Sequence, residues 1–78
     1  MKATDYFRFV SARKDRAVIR KEWIEEVVRN PEKRHIQAVG RIRLWASVPD
    51  YGGRYLRVVL LEDGETVHNA FFDRGFEP

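Results

Sequence analysis

The sequence predicts an α+β domain: two N-terminal helices packed on one face of a three- to four-stranded antiparallel sheet, in the order ααββββ. Three observations carry this. Up to Asn30 the apolar residues recur at three- and four-residue spacing, and from Arg34 onward they recur at alternate positions. Clusters of Gly, Pro, Asp and Asn divide the second half into short segments. Helices first and strands afterwards argue for a helical layer on a meander rather than for alternating βαβ units. A chain of 78 residues makes a single domain, 1–78, which buries about 60% of the surface its unfolded form exposes.

Each element has a local cause. The short oxygen-bearing side chains of Thr4 and Asp5 can cap a first helix by accepting free N–H groups of its first turn. Tyr6, Phe9, Val10 and Arg13 then fall near one helical face, until Lys14-Asp15-Arg16 interrupts the pattern. A second helix is expected from about Lys21 to Asn30. Ile24, Val27 and Val28 form its apolar stripe, with Trp23 beside Val27. Glu22, Glu25 and Glu26 precede Arg29, which suits the helix dipole. Asn30-Pro31 closes it, because the residue before proline avoids helical backbone angles.

His35 to Val39 reads as a weak first strand ending at Gly40. From Arg41 to Val48, Ile42, Leu44, Ala46 and Val48 share one face, and Arg41, Arg43, Trp45 and Ser47 the other. Pro49-Asp50-Tyr51-Gly52-Gly53 is a turn. Arg54 to Glu62 is the central strand, with Leu56, Val58 and Leu60 opposite Tyr55, Arg57, Val59 and Leu61. Asp63-Gly64 signals a hairpin, and Thr66 to Phe72 is the last strand.

Composition narrows the chemistry. With no cysteine, disulfides, thiolate metal sites and a cysteine nucleophile are excluded, and two histidines do not suggest a histidine-rich zinc site. There is no glycine-rich phosphate loop and no nucleophile elbow, so neither metal nor cofactor is expected. No run of about 18 apolar residues suggests a membrane span. The N-terminus lacks the apolar stretch of a secretory signal, and a cytoplasmic bacterial-type protein is the expectation.

The net charge of +3 hides an asymmetry. Met1–Arg43 holds twelve Lys or Arg against six Asp or Glu, whereas Leu44–Pro78 holds three against six. A basic half suits an anionic partner such as RNA or an acidic protein; a solvated surface is the plainer account. If Leu44, Leu56, Val58 and Leu60 face the helices, then Arg41, Arg43, Trp45, Tyr55 and Arg57 lie on an open face. Guanidinium groups interleaved with rings can bind phosphates and stack on unpaired bases. Alternatively, arginine stems cover apolar surface and Trp45 fills a satellite core.

His68, in the last strand, has the residue type for acid–base work near neutral pH. Cleavage of RNA through its 2′-hydroxyl needs a base, an acid and a cation for the phosphorane charge, which His68, Arg57 and Arg74 could supply. The plainer account makes His68 an ordinary strand residue and Asp73-Arg74 a local ion pair.

Ile19-Arg20-Lys21-Glu22-Trp23-Ile24 with Asn30-Pro31, Gly52-Gly53-Arg54-Tyr55-Leu56-Arg57-Val58-Val59 and Ala70-Phe71-Phe72-Asp73-Arg74 resemble a widespread bacterial domain family. That family is grouped with the barnase–EndoU–colicin–RelE ribonuclease-like toxins. The resemblance implies helices before a sheet, action on RNA as a metal-independent ribonuclease, and a small antitoxin protein as partner. Many relatives carry a histidine in the first helix, where this chain reads Tyr6-Phe7-Arg8-Phe9 through Arg13 without one. If that histidine is catalytic in the family, this chain is either inactive or draws on Arg13, Arg57 and His68 instead. The expected function is a toxin-like RNA-acting domain of a toxin–antitoxin pair, with His68, Arg57 and Arg74 as catalytic candidates. Arg13, Arg41, Arg43, Trp45 and Tyr55 are the nucleic-acid-binding candidates. A non-catalytic binding module of the same fold is the alternative. Either could be a monomer or a homodimer joined through a strand edge or through Trp45 and Phe76.

Overall fold

The computed structural model describes residues 1–78. Its elements are α1 (Asp5–Ser11), α2 (Lys21–Arg29), β1 (Lys33–Ile36), β2 (Ile42–Val48), β3 (Arg54–Leu60) and β4 (Val67–Phe72). The strands form one antiparallel sheet in the order β1-β2-β3-β4. The expected ααββββ layout is therefore the observed one.

Thr4 caps α1 as its sequence suggests: its hydroxyl accepts the Phe7 N–H at 3.0 Å. Just before it, the chain joins the outer edge of β4, with Thr4 N–H to Val67 O at 3.0 Å and Val67 N–H to Lys2 O at 2.9 Å. That pairing covers part of an edge that would otherwise offer free N–H and C=O groups. The buried residues of α1 are Phe7 and Val10, whereas Tyr6 and Phe9 point to solvent. This corrects the expected Tyr6–Phe9 face. Four of six residues from Asp5 to Val10 are apolar, so spacing alone permits two stripes, and the docking of α1 on β4 selects one.

Helix α2 buries Ile24 and Val27 against β2 and β3, as its stripe predicts. Asn30 then leaves helical geometry with φ −133° and ψ 64° ahead of Pro31. The inner sheet face supplies Ile42, Leu44, Ala46, Val48, Leu56, Val58 and Leu60. Leu56 and Val58 have no exposed surface. Burying such a side chain stabilises by about 1.5–3 kcal/mol, so β3 carries the core.

The strand ends differ from expectation at β1. It begins at Lys33 and ends at Ile36, and Gln37–Gly40 is a turn closed by Gly40 N–H to Gln37 O at 2.8 Å. Gly40 has φ +90°, and a Cβ there would meet the Glu62 side chain at 2.6 Å, so glycine is required. Neither helix covers β1, and all four of its residues are exposed. The Pro49–Tyr51 turn is a single 3-10 turn ending in the left-handed Gly52. A bulge between Val59 and Leu60 places His68 as the extra residue of β4.

Candidate nucleic-acid interface

The register of the sheet lays its outward side chains in rows. Across the middle, Lys33 of β1 pairs with Trp45 of β2, Trp45 with Arg57 of β3, and Arg57 with Phe71 of β4. One row along, His35 pairs with Arg43 and Arg43 with Val59. The helix-free face expected to hold Arg43, Trp45, Tyr55 and Arg57 does hold them. It is not bare, however.

Along the central row, rings and cations stack side by side. The Phe76 ring lies 5.1 Å from Trp45 at an interplanar angle of 16°. The Arg57 guanidinium is 5.2 Å from the Trp45 centroid and 5.1 Å from that of Phe71. Lys33 Nζ sits 5.7 Å over Phe76, and Arg16 lies 5.2 Å over Phe71. Each such cation–ring contact contributes about 0.5–2 kcal/mol depending on exposure. Arg16 is fixed in place because it donates to Asn69 Oδ1 at 2.8 Å and to Ala70 O at 3.3 Å. Trp45 retains only 6% of its surface exposure, so its ring fills a second small core beneath the C-terminal segment.

Asp73 ties this core together. Its carboxylate accepts from Trp45 Nε1 at 3.0 Å and from the Gly75 N–H at 3.1 Å, and it pairs with Arg57 Nε at 3.4 Å. Arg57 Nε is buried without an aligned hydrogen bond, so the last contact is an ion pair and not a hydrogen bond. Asp73 thus pairs across the strands with Arg57 and not with its neighbour Arg74, which is exposed and makes no ion pair. Tyr55 is also engaged: its hydroxyl donates to Glu32 at 3.3 Å, and its ring tilts against Phe76 at 4.9 Å. Glu32 accepts from the Ser47 N–H and hydroxyl at 2.8 and 2.9 Å. Those bonds hold its carboxyl below the ordinary range, while burial and then the Glu32 charge push the Tyr55 phenol up.

The other end of the face is different. From Lys33 to Pro49 there is no acidic residue. Lys33, Arg34, His35, Arg41 and Arg43 therefore gather on the β1–β2 hairpin, and none of them makes an ion pair within 4.0 Å. By strand alternation all but Arg34 belong to the helix-free side. Arg41 shares a shallow groove with Val39, Leu61, Glu62 and Asp63, so carboxylates flank the turn end of the hairpin, as Glu32, bonded to Ser47, flanks its open end. Asp63 is occupied locally, accepting from the Glu65 and Thr66 N–H groups at 3.0 and 2.9 Å. Bonds from Thr66 and Glu65 lower its pKa to about 2.

His68 stands apart from the central row. Its Nδ1 is 3.1 Å from Thr4 Oγ1, and its ring stacks on Tyr6 at 4.9 Å. Because Thr4 Oγ1 already accepts from Phe7, a hydroxyl proton donated to a neutral Nδ1 completes the network. Burial, and secondarily the Arg41 charge, hold the imidazole below its ordinary pKa. Along β4, His68 is three residues from Phe71, about 10 Å. The fold thus brings together Trp45, Tyr55 and Arg57, and separately Arg41 and Arg43, with Arg41 acting electrostatically on His68. It does not gather His68, Arg57 and Arg74 into one cluster. Arg13 lies beyond α1 and pairs with Asp15 at 3.6 Å.

Sequence reasoning passed over Arg16, Glu32 and Phe71 as members of this face, and saw neither Asp73 nor Phe76 folding onto it. Phe71 had a signal, since Phe71-Phe72 must send one ring to each face of a strand. Arg16 and Phe76 come from irregular segments and had none. No helix is long and apolar enough to cross a membrane. No protein-family model, curated protein or solved structure matches the chain.

Proposed function

We propose that this domain acts on RNA by holding a single strand along the β1–β2 hairpin and the adjoining sheet face. One observation carries the reading: a 17-residue stretch free of carboxylates, Lys33–Pro49, folds so that its cations share one exposed hairpin without ion-pair partners. Unpaired cations on one surface attract the phosphate backbone and release its counterions on binding. Arg41 and Arg43 are the principal phosphate contacts, with Lys33 and His35 beside them. Trp45, Tyr55 and Arg57 organise the neighbouring face.

The test is fluorescence anisotropy of a labelled single-stranded RNA at low salt. Arg41→Ala/Arg43→Ala weakens binding at least tenfold, whereas Arg20→Ala/Lys21→Ala, with the same change of net charge on α2, leaves it within twofold. Equal loss in both variants, or no binding by the parent chain, refutes the reading.

A second reading, a metal-independent ribonuclease of a toxin–antitoxin pair, is supported by the sequence resemblance and by His68. A partly exposed imidazole held neutral near pH 7 beside the charge of Arg41 has the character of a general base next to a phosphate anchor. Induced expression with growth arrest and RNA fragmentation, lost in His68→Ala, supports cleavage. Normal growth and intact RNA from soluble, folded protein leave the domain as a binding module.

A further inference from the structure

We infer that the Trp45 ring face covered by Phe76 is a nucleobase slot, and that Phe76 is a self-ligand which a base of single-stranded RNA displaces. The inference rests on the RNA-binding reading above and adds to it a second contact class, stacking on an unpaired base.

Phe76 occupies the position a stacked base would take. It lies nearly parallel to Trp45, at 16° and 5.1 Å, with Lys33 Nζ over it at 5.7 Å. The platform itself is built into the sheet. Trp45 sits mid-strand in β2, Nε1 anchored to Asp73 at 3.0 Å, with the Arg57 guanidinium 5.2 Å from its ring. Such a ring does not need Phe76 to hold its orientation.

The cover is attached differently. Beyond Asp73, whose N–H donates to Tyr55 O at 2.9 Å, the segment makes no backbone hydrogen bond to the sheet. Its remaining backbone bonds are internal, Phe76 N–H to Asp73 O at 3.3 Å and Gly75 N–H to Asp73 Oδ1 at 3.1 Å. Phe76 is thus held by ring contacts with Trp45, Tyr55 and Lys33, and Gly75 next to it gives the segment a pivot. Once Phe76 swings away, the exposed Trp45 face lies between Lys33 on β1 and Arg57 on β3. A base can enter there with its flanking phosphates within reach of Lys33 and the hairpin arginines. Stacking of this kind tolerates any base and requires a single strand, because duplex bases have no free face.

Covering the slot lowers affinity by the fraction of molecules that are open. The probe is a uridine octanucleotide. Phe76→Ala binds it about three- to tenfold more tightly than the parent chain, and Trp45→Ala in the Phe76→Ala background removes that gain. A second measurement needs no substitution: in proton NMR the Phe76 ring signals, displaced by the Trp45 ring current, move to free-phenylalanine positions as the octanucleotide saturates the chain. Folded Phe76→Ala with unchanged or weaker affinity overturns the slot, as do Phe76 signals that stay displaced at saturation. If binding persists and still depends on Arg41 and Arg43 in those cases, the hairpin reading stands without the slot. No binding by either the parent chain or Phe76→Ala refutes both.

Discussion

Replacing Asp73 with alanine removes one carboxylate that serves three partners, so its cost can be built from the contacts. The bond from Trp45 Nε1 at 3.0 Å is charge-assisted, a class that contributes about 1.5–3 kcal/mol. The Arg57 pair at 3.4 Å is only partly shielded, with side-chain exposures of 23% and 19%, and adds less than a dry pair would. Losing the acceptor also leaves Arg57 Nε buried with no counter-charge. Asp73→Ala therefore costs about 2 kcal/mol, against a total stability of about 4–12 kcal/mol for a chain of this length. By the usual scaling for small domains, Tm falls by about 8–16 °C. Asp73→Asn keeps an acceptor for the indole and loses the charge, so its cost is about half, near 1 kcal/mol. Thermal and urea unfolding followed by circular dichroism measure both. A double-mutant cycle with Arg57→Leu isolates the pair, and a coupling above about 0.5 kcal/mol is expected for groups in contact. If Asp73→Ala stays within about 0.5 kcal/mol of the parent chain, the C-terminal segment is not docked through this residue and the description of the second core is wrong.

Leu56→Ala, at a fully buried site on the central strand, costs about 2–5 kcal/mol, whereas Phe9→Ser, at 74% exposure, stays within about 0.5 kcal/mol. Unfolding in urea separates the two, and equal effects would contradict the assignment of the α1 face. His68 is held below its ordinary pKa, so the unfolded chain takes up this proton first. Stability from this group is intact above about pH 6.5 and declines as the pH falls toward the folded-state value. An NMR titration of the His68 ring should give a pKa below the free value, and His68→Gln should flatten the acid limb of the stability curve. RNA affinity should fall steeply with salt. If Lys33, Arg41 and Arg43 each neutralise one phosphate, the slope of log affinity against log salt is about −2.1, and Arg41→Ala/Arg43→Ala reduces it to about −0.7.

The layout was legible because each layer has its own period. The α2 stripe and the alternation in β2 and β3 place the same residues in the core that the fold buries, Ile24, Val27, Leu44, Leu56 and Val58 among them. Where burial was absent, so was the signal. β1 is exposed on both faces, and Lys33-Arg34-His35 carries no apolar alternation, so its limits depended on pairing with β2 alone. In α1 the difficulty was the reverse, too many apolar residues for one face. The outward row was half legible. Alternation placed Trp45 and Arg57 together, but the residues that cover and brace them, Phe76, Asp73 and Arg16, arrive from segments without a period. The separation of His68 from Arg57 follows from strand register and a bulge, neither of which composition or spacing records.

The most direct test of the central claim is amide chemical-shift mapping by NMR as single-stranded RNA is added to the chain. Binding along the β1–β2 hairpin gives the largest shifts in Lys33–Trp45, with smaller ones at Arg57 and Phe76 and little change along α2. Shifts centred on α1 or α2, with the β1–β2 hairpin unmoved, would contradict it.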